Sequence, residues 1–329
     1  MSIPTTMRAL RQMSLDGPDG LRLVTDAPVP GPGRGEILIR VAAAGVNFVD
    51  VSRSRGTFGE TPRPPFVAGF EAAGEVIAVG EGVAHPARGA QVACAGPGAF
   101  ADFMVAPAAA AMPVPAGWTS QQAMGLVVNW PTALAALLLG RMTAGETVLV
   151  HAAAGATGQA ALTLAKRRGA RVIATASRSK HDIVRALGAD AVVDSADRDL
   201  AAVVLDLTAG RGADLVLESA GGTTFAASVA ATKRITGRVV VLGLAGGNAT
   251  ISNWDLVYTH PIQLIGFNLG ALIQAAPQIF GEVMGELGAL IAAGVITPAR
   301  AKTYALADGP QALADLENRA TVGKLALIP

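Results

Sequence analysis

A single cysteine, Cys94, is present in the whole chain, so neither an intrachain disulfide nor a cysteine-rich zinc lobe can form. Aromatic residues are also scarce, at 4%, and no dense Lys/Arg run occurs. That removes the stacking platforms and the basic stripe of a nucleic-acid binder. Twenty-six Lys and Arg stand against 25 Asp and Glu, a formal net charge of +1, so an anionic membrane surface is not an expected partner either. The strongly apolar segments, such as Ala133 to Leu139, fall far short of the roughly 20 residues that cross a bilayer. The first 20 residues carry Arg8 and Arg11 among scattered Pro, Thr and Asp and have no signal-peptide core, so the expected location is the cytoplasm.

What the chain has in quantity is apolar material: 51% of 329 residues, enough for two separate cores. The first third reads as short strands broken by Gly and Pro, at Ile37 to Ala42, Ala73 to Val79 and Gln91 to Cys94. Near Thr119 the pattern lengthens, with Ser120 expected to cap one helix and Pro131 to open another through Leu139. From Thr147 onward, six buried strands alternate with helical segments: Thr147 to His151, Arg171 to Thr175, Ala191 to Asp194, Asp214 to Glu218, Arg238 to Leu242 and Gln263 to Phe267. This alternation predicts an α/β fold with a doubly wound parallel Rossmann sheet beside a β-rich domain. The expected boundaries are 1–127 and 270–329 for the β-rich domain and 128–269 for the Rossmann domain. The tail predicts one amphipathic helix from Gln274 to near Gly294 and then two strands, Lys302 to Leu306 and Lys324 to Ile328, that return to the β-rich domain.

The first Rossmann strand runs into Ala152-Ala153-Ala154-Gly155-Ala156-Thr157-Gly158, a GxGxxG spacing with Ala153 in the first glycine place. Gly155 admits a close pyrophosphate, Gly158 lets helix and strand pack, and the helix N-terminus attracts the phosphate charge. The second strand ends in Ser177-Arg178-Ser179-Lys180, without the acid that would bind the ribose hydroxyls of NAD. A hydroxyl and two cations there suit a 2′-phosphate, so NADPH is the expected cofactor, held by Ser177, Arg178 and Lys180. The four histidines, His85, His151, His181 and His260, show no metal spacing.

Five ordered blocks resemble the zinc-independent quinone oxidoreductase (zeta-crystallin-like) branch of the medium-chain dehydrogenases/reductases. They are Ala44 to Asp50, Gly69 to Val76, Asn129 to Ala133, the Ala152 to Gly158 loop, and Arg319 to Lys324. The resemblance implies a GroES-like catalytic domain for the β-rich part and a homodimer through the last Rossmann strand. Zinc-dependent relatives carry a cysteine at the place of Asn47 and a histidine at that of Phe70; an amide and a phenyl ring cannot replace them, so no metal is expected. Glu71 is expected as a structural partner.

By the same resemblance, Asn47 lines the site near the nicotinamide and Thr132 touches the nicotinamide or its ribose, these two being the expected catalytic residues. Ala154, Gly155, Ala156, Thr157 and Gly158 hold the pyrophosphate. Ser219, Leu242, Gly243, Phe267, Asn268 and Leu269 contact the nicotinamide side, and Lys324 reaches the cofactor. Ser52, Phe58, Trp130 and Trp254 are expected to wall the substrate pocket. The implied reaction is metal-free hydride transfer from NADPH to a quinone or conjugated enone. The family often has tyrosines where this chain has Ser52, Phe58 and Ser195. Two alternatives stand: an enoyl-thioester reductase, and a non-catalytic, crystallin-like NADPH-binding protein.

Overall fold

The computed structural model describes residues 3–59 and 61–329 and divides into two compact units, one of residues 1–128 with 294–329 and one of residues 129–293. The first unit opens with β1 (Thr6–Gln12) and β2 (Leu21–Pro28), followed by β3 (Glu36–Val46), α1 (Phe48–Ser54), β4 (Phe66–Val67), β5 (Glu71–Val79), β6 (Gln91–Ala95), β7 (Phe103–Pro107) and β8 (Met112–Pro113). β3 is the spine of this unit: it pairs antiparallel with β5 along its length and with β7 at its start. Leu10, Ile37, Ile39, Phe100 and Met104 pack together as its core. Ser120 caps no helix. Residues 120–128 form turns, in which Thr119 and Gln122 exchange hydrogen bonds.

The second unit begins with α2 (Asn129–Leu139). Then come β9 (Thr147–Val150), α3 (Ala156–Arg167), β10 (Arg171–Ala176), α4 (His181–Ala186), β11 (Ala191–Asp194), α5 (Leu200–Leu207), β12 (Leu215–Glu218), α6 (Gly222–Ala231), β13 (Arg238–Val241), β14 (Gln263–Gly266), α7 (Leu269–Ala275) and α8 (Pro277–Ala292). All six strands are parallel, in the order β11-β10-β9-β12-β13-β14. Every residue of β9 and of β12 is buried, as expected of central strands covered on both faces by crossover helices. The order reverses between β9 and β12, and ligands bind such sheets at the carboxyl ends of the strands on either side of that switch.

The expected single tail helix is two, broken at Ala276-Pro277, because a proline ring disfavours helical angles in the residue before it. Both helices contact α2, which keeps residues 270–293 with the Rossmann unit and moves the return crossing from 270 to 294. The chain then adds β15 (Lys302–Ala305), α9 (Gly309–Glu317) and β16 (Leu325–Ile328) to the first unit. β16 pairs antiparallel with the end of β3 and parallel with β15. Helix α9 went unread in the sequence. Its Asp315 accepts the Tyr304 hydroxyl at 2.6 Å, a structural use for that tyrosine.

Candidate cofactor and active site

β9 enters the dinucleotide loop through Ala152, whose φ of 48° is unusual for a residue with a side chain, and the chain turns into α3 at Gly155. A Cβ on Gly158 would collide with the Ala152 carbonyl and Ala153 Cα, so that glycine is required by helix–strand packing. Gly155, at φ −81°, is not held to glycine by its backbone angle. The first amides of α3 have no intrahelical acceptor. Beside them lies a residue to which sequence reasoning gave no role: buried Asn129 donates Nδ2 to Thr157 Oγ1 at 3.0 Å, and its Oδ1 is buried without a hydrogen-bond partner. Thr132 is half-buried one turn further along α2.

At the end of β10, Ser177 starts a 3₁₀ turn through Lys180. Arg178 is 87% exposed and reaches Asp194 Oδ2 at 3.3 Å. The absence of an acid at this strand end is therefore only local, since the β10–β11 register sets Asp194 directly beside Ala176. The Asp194 carboxyl is held below the usual carboxylate range by the Ala196 amide and by Arg178.

Under the ends of β9, β10 and β12 runs a buried polar chain. Thr175 Oγ1 meets His151 Nδ1 at 3.1 Å, His151 Nε2 meets Ser228 Oγ at 2.9 Å, and the Ser228 hydroxyl donates to Glu218 Oε2. Glu218 Oε1 accepts the amides of Ala220 at 2.6 Å and Gly221 at 2.8 Å, fixing the loop that contains Ser219. Burial lowers the His151 pKa, so the ring is neutral. The loop after β13 lies so near that a Cβ on Gly243 would strike the Ser219 carbonyl. Leu242 and Phe267 are tied to neighbouring strands through their amides, and both are half-buried with Leu269. Asn268 spends its Oδ1 capping α7 at Ala271 N, 2.9 Å away. Trp130 is half-buried in α2, whereas Trp254 is 65% exposed and packs against Tyr258, with the rings tilted by 45° and 4.4 Å between centroids.

In the first unit, β3, β5, β16 and α1 bring four polar groups together. Asn47 ends β3 and starts α1, its amide N–H donating to Asp50 Oδ2 at 2.8 Å. Its Nδ2 donates to Glu71 Oε2 at 2.9 Å and to Gly45 O at 3.4 Å. Lys324 Nζ donates to Asn47 Oδ1 at 2.6 Å and Glu71 Oε2 at 2.5 Å. The other Glu71 oxygen accepts the Gly125 amide at 2.6 Å. Glu71, fully buried, is thus the structural partner expected, and Lys324, expected at the cofactor, is held by Asn47 and Glu71. Burial pushes the Asp50 carboxyl up to about 7, with the Asn47 amide and the Lys324 and Arg53 charges opposing. Asp50 Oδ1 has no partner. On α1, Arg53 lies between the rings of Phe58 and Phe70, 5.2 and 4.9 Å from their centroids, and Ser52 is half-buried. Phe70, at the expected histidine position, is therefore a cation–π partner.

Residues 33–116 match the family model described as the alcohol dehydrogenase GroES-like domain, and residues 156–286 match that described as zinc-binding dehydrogenase. Bovine prostaglandin reductase-3 is 37% identical over 254 residues, 76% of this chain and 66% of that protein, so the chain spans just under two thirds of that relative. The structure of mycobacterial Rv1454c complexed with NADPH is 35% identical, with a TM-score of 0.91, and the match covers 98% of this chain and 100% of that one. Escherichia coli quinone oxidoreductase complexed with NADPH is 31% identical with a TM-score of 0.88, over the same shares. With both domain models matched in order and full-length relatives above 30% identity, this chain belongs to the medium-chain dehydrogenase/reductase superfamily of oxidoreductases and groups there with the quinone oxidoreductases.

Proposed function

We propose that this chain is an NADPH-dependent reductase of quinones and conjugated enones that works without a metal. The observation that carries the cofactor assignment is the start of α3: amides without intrahelical acceptors lie next to a buried, unpartnered Asn129 Oδ1. Such an oxygen is satisfied by a ligand donor, and a ribose hydroxyl is one. Ala154 to Gly158 would hold the pyrophosphate, Ser177, Arg178 and Lys180 the 2′-phosphate, and the Glu218-braced loop at Ser219 the nicotinamide side together with Gly243 and Phe267. The NADPH complexes of two relatives support the same reading. Bound there, the cofactor supplies a hydride. The chain's own work is to orient the reactants, to exclude water and to stabilise charge on the acceptor.

The metal-free part rests on Asn47 and Phe70, whose side chains are committed to Lys324, Glu71 and Arg53. Ser52 and Phe58 are the proposed acceptor-side residues. Neither is an acid, which favours acceptors whose reduced anion is already stabilised, as a hydroquinone anion is, over enoyl thioesters. NADPH oxidation measured against matched quinones, enones and enoyl thioesters tests this. Quinone or enone turnover should dominate, and turnover confined to enoyl thioesters would replace the reading with its rival.

A homodimer is part of the proposal. β14 is the edge of the six-stranded sheet and ends in the apolar Leu264-Ile265-Gly266. Exposed Trp254, Val257 and Tyr258 lie just before it in the chain. An edge of this kind is protected when a second copy pairs with it.

A further inference from the structure

We propose that Lys324 is a catalytic residue whose remaining N–H bond stabilises the negative charge that develops on the acceptor oxygen. The inference rests on the reductase reading above and follows from a count of donors. An asparagine side chain has two N–H bonds and one carbonyl oxygen. At Asn47 both Nδ2 hydrogens have acceptors, Glu71 and Gly45, and Oδ1 receives Lys324. Asn47 therefore has no donor left for a substrate. Glu71 accepts from Asn47, Lys324 and Gly125 and, as a carboxylate, donates nothing. Of Asn47, Glu71 and Lys324, only the ammonium has a donor to spare: it carries three N–H bonds, and two are used.

The geometry also holds that capacity in place. Asn47 Oδ1 and Glu71 Oε2 both accept from Nζ, at 2.6 and 2.5 Å. The missing Gly45 side chain leaves the space through which the lysine stem passes. The Lys324 side chain keeps 10% exposure while its partner Glu71 has none, so of the ion pair only the cation is accessible. A donor fixed before reaction, in a site of low dielectric, is the arrangement that stabilises a developing oxyanion with little reorganisation.

In the reaction, the acceptor carbon receives one hydride, and its conjugated electron pair moves onto the acceptor oxygen. Lys324 Nζ–H hydrogen-bonds that oxygen as its charge grows. Water then supplies one proton, so hydride and proton together complete the two-electron reduction. Asn47 is accordingly a positioning residue.

The test uses full-length protein carrying Lys324→Met, Lys324→Arg and the double variant Lys324→Met/Glu71→Gln, the last avoiding a buried unpaired carboxylate. The first readout is binding of 4-nitrophenol to the NADP⁺-loaded protein, followed by the absorbance of its anion. Wild type should lower the apparent pKa of the bound probe by about one unit, Lys324→Arg should retain part of that shift, and both Met variants should lose it. The second is kinetic: removal of an oxyanion donor lowers kcat by roughly 10²–10³ with little change in KM, whereas NADPH binding should be unchanged. A folded double variant with wild-type kcat and an unshifted difference between free and bound probe relative to wild type overturns the proposal while leaving the reductase reading intact. Wild-type protein that reduces no quinone or enone defeats the reductase reading instead, and the probe shift then still decides whether Lys324 holds an oxyanion.

Discussion

Gly45 stands opposite Glu71 in the β3–β5 ladder, and a side chain on it would occupy the space taken by the Glu71 carboxylate and the Lys324 stem. The glycine is thus a condition for the ion pair. Gly45→Ala should lower stability by about 1–3 kcal/mol, the usual cost of overpacking a filled site. It should also lower kcat by displacing Lys324. Denaturant unfolding and steady-state kinetics check this, and an alanine variant that matches wild type in both would show that the pair has room to move.

Cofactor preference should respond to Asp194 as well as to Lys180. Asp194 holds Arg178 through an exposed ion pair, and its negative charge opposes a 2′-phosphate nearby. Asp194→Asn should tighten NADPH by about threefold and leave NADH nearly unchanged, in keeping with the small energies of exposed charges. Lys180→Ala should weaken NADPH selectively. Calorimetric titration of both cofactors decides, and parallel changes for NADPH and NADH would count against a phosphate site here.

Stability should fall with rising pH through the Asp50 window. The folded pKa, about 7, lies above the ordinary 3.8, so between these values the folded state binds more protons than the unfolded one. The contribution is complete below about pH 4, is lost as pH rises, and levels off above 7. At about 1.4 kcal/mol per pKa unit its upper bound is about 4 kcal/mol. Asp50→Asn keeps an acceptor for the Asn47 amide and removes the slope. The variant should therefore gain on wild type from pH 5 to pH 8 in denaturation midpoints, and a constant difference would reject the assignment.

His151 acts with the opposite sign. Burial depresses its pKa below 6.5, so the stability that depends on neutral His151 is present above that value and is lost as pH falls below it. Ser228→Ala removes the hydroxyl joining His151 to Glu218. A loss of about 1–3 kcal/mol is expected, as for other buried polar groups left without a partner. Thermal melts at pH 7.5 test the loss, with NADPH affinity measured in parallel because Glu218 also braces the Ala220 and Gly221 amides.

Activity should survive exhaustive chelation, because the places where zinc-dependent relatives carry a cysteine and a histidine hold Asn47 and Phe70, each committed elsewhere. Elemental analysis of the purified protein, with turnover before and after chelation, checks this. Stoichiometric zinc required for turnover would defeat it.

The sequence by itself determined what depends on local order: six apolar strand segments, helices of crossover length between them, and the strand–loop–helix run through Gly155 and Gly158. Alternation and glycine spacing act over a few residues, so they are visible in one dimension. Tertiary structure decided whatever needs partners remote in the chain. Asp194 reaches Arg178 only because parallel pairing sets β11 beside β10. The tail read as one helix through Pro277, and it took packing on α2 to assign residues 270–293 to the Rossmann unit. Asn47 drew notice in the sequence, yet its bonds were not legible there. Lys324 is 277 positions away, and only the β16–β3 pairing brings it to Asn47, where donors and acceptors can be counted and the ammonium is left with one to spare.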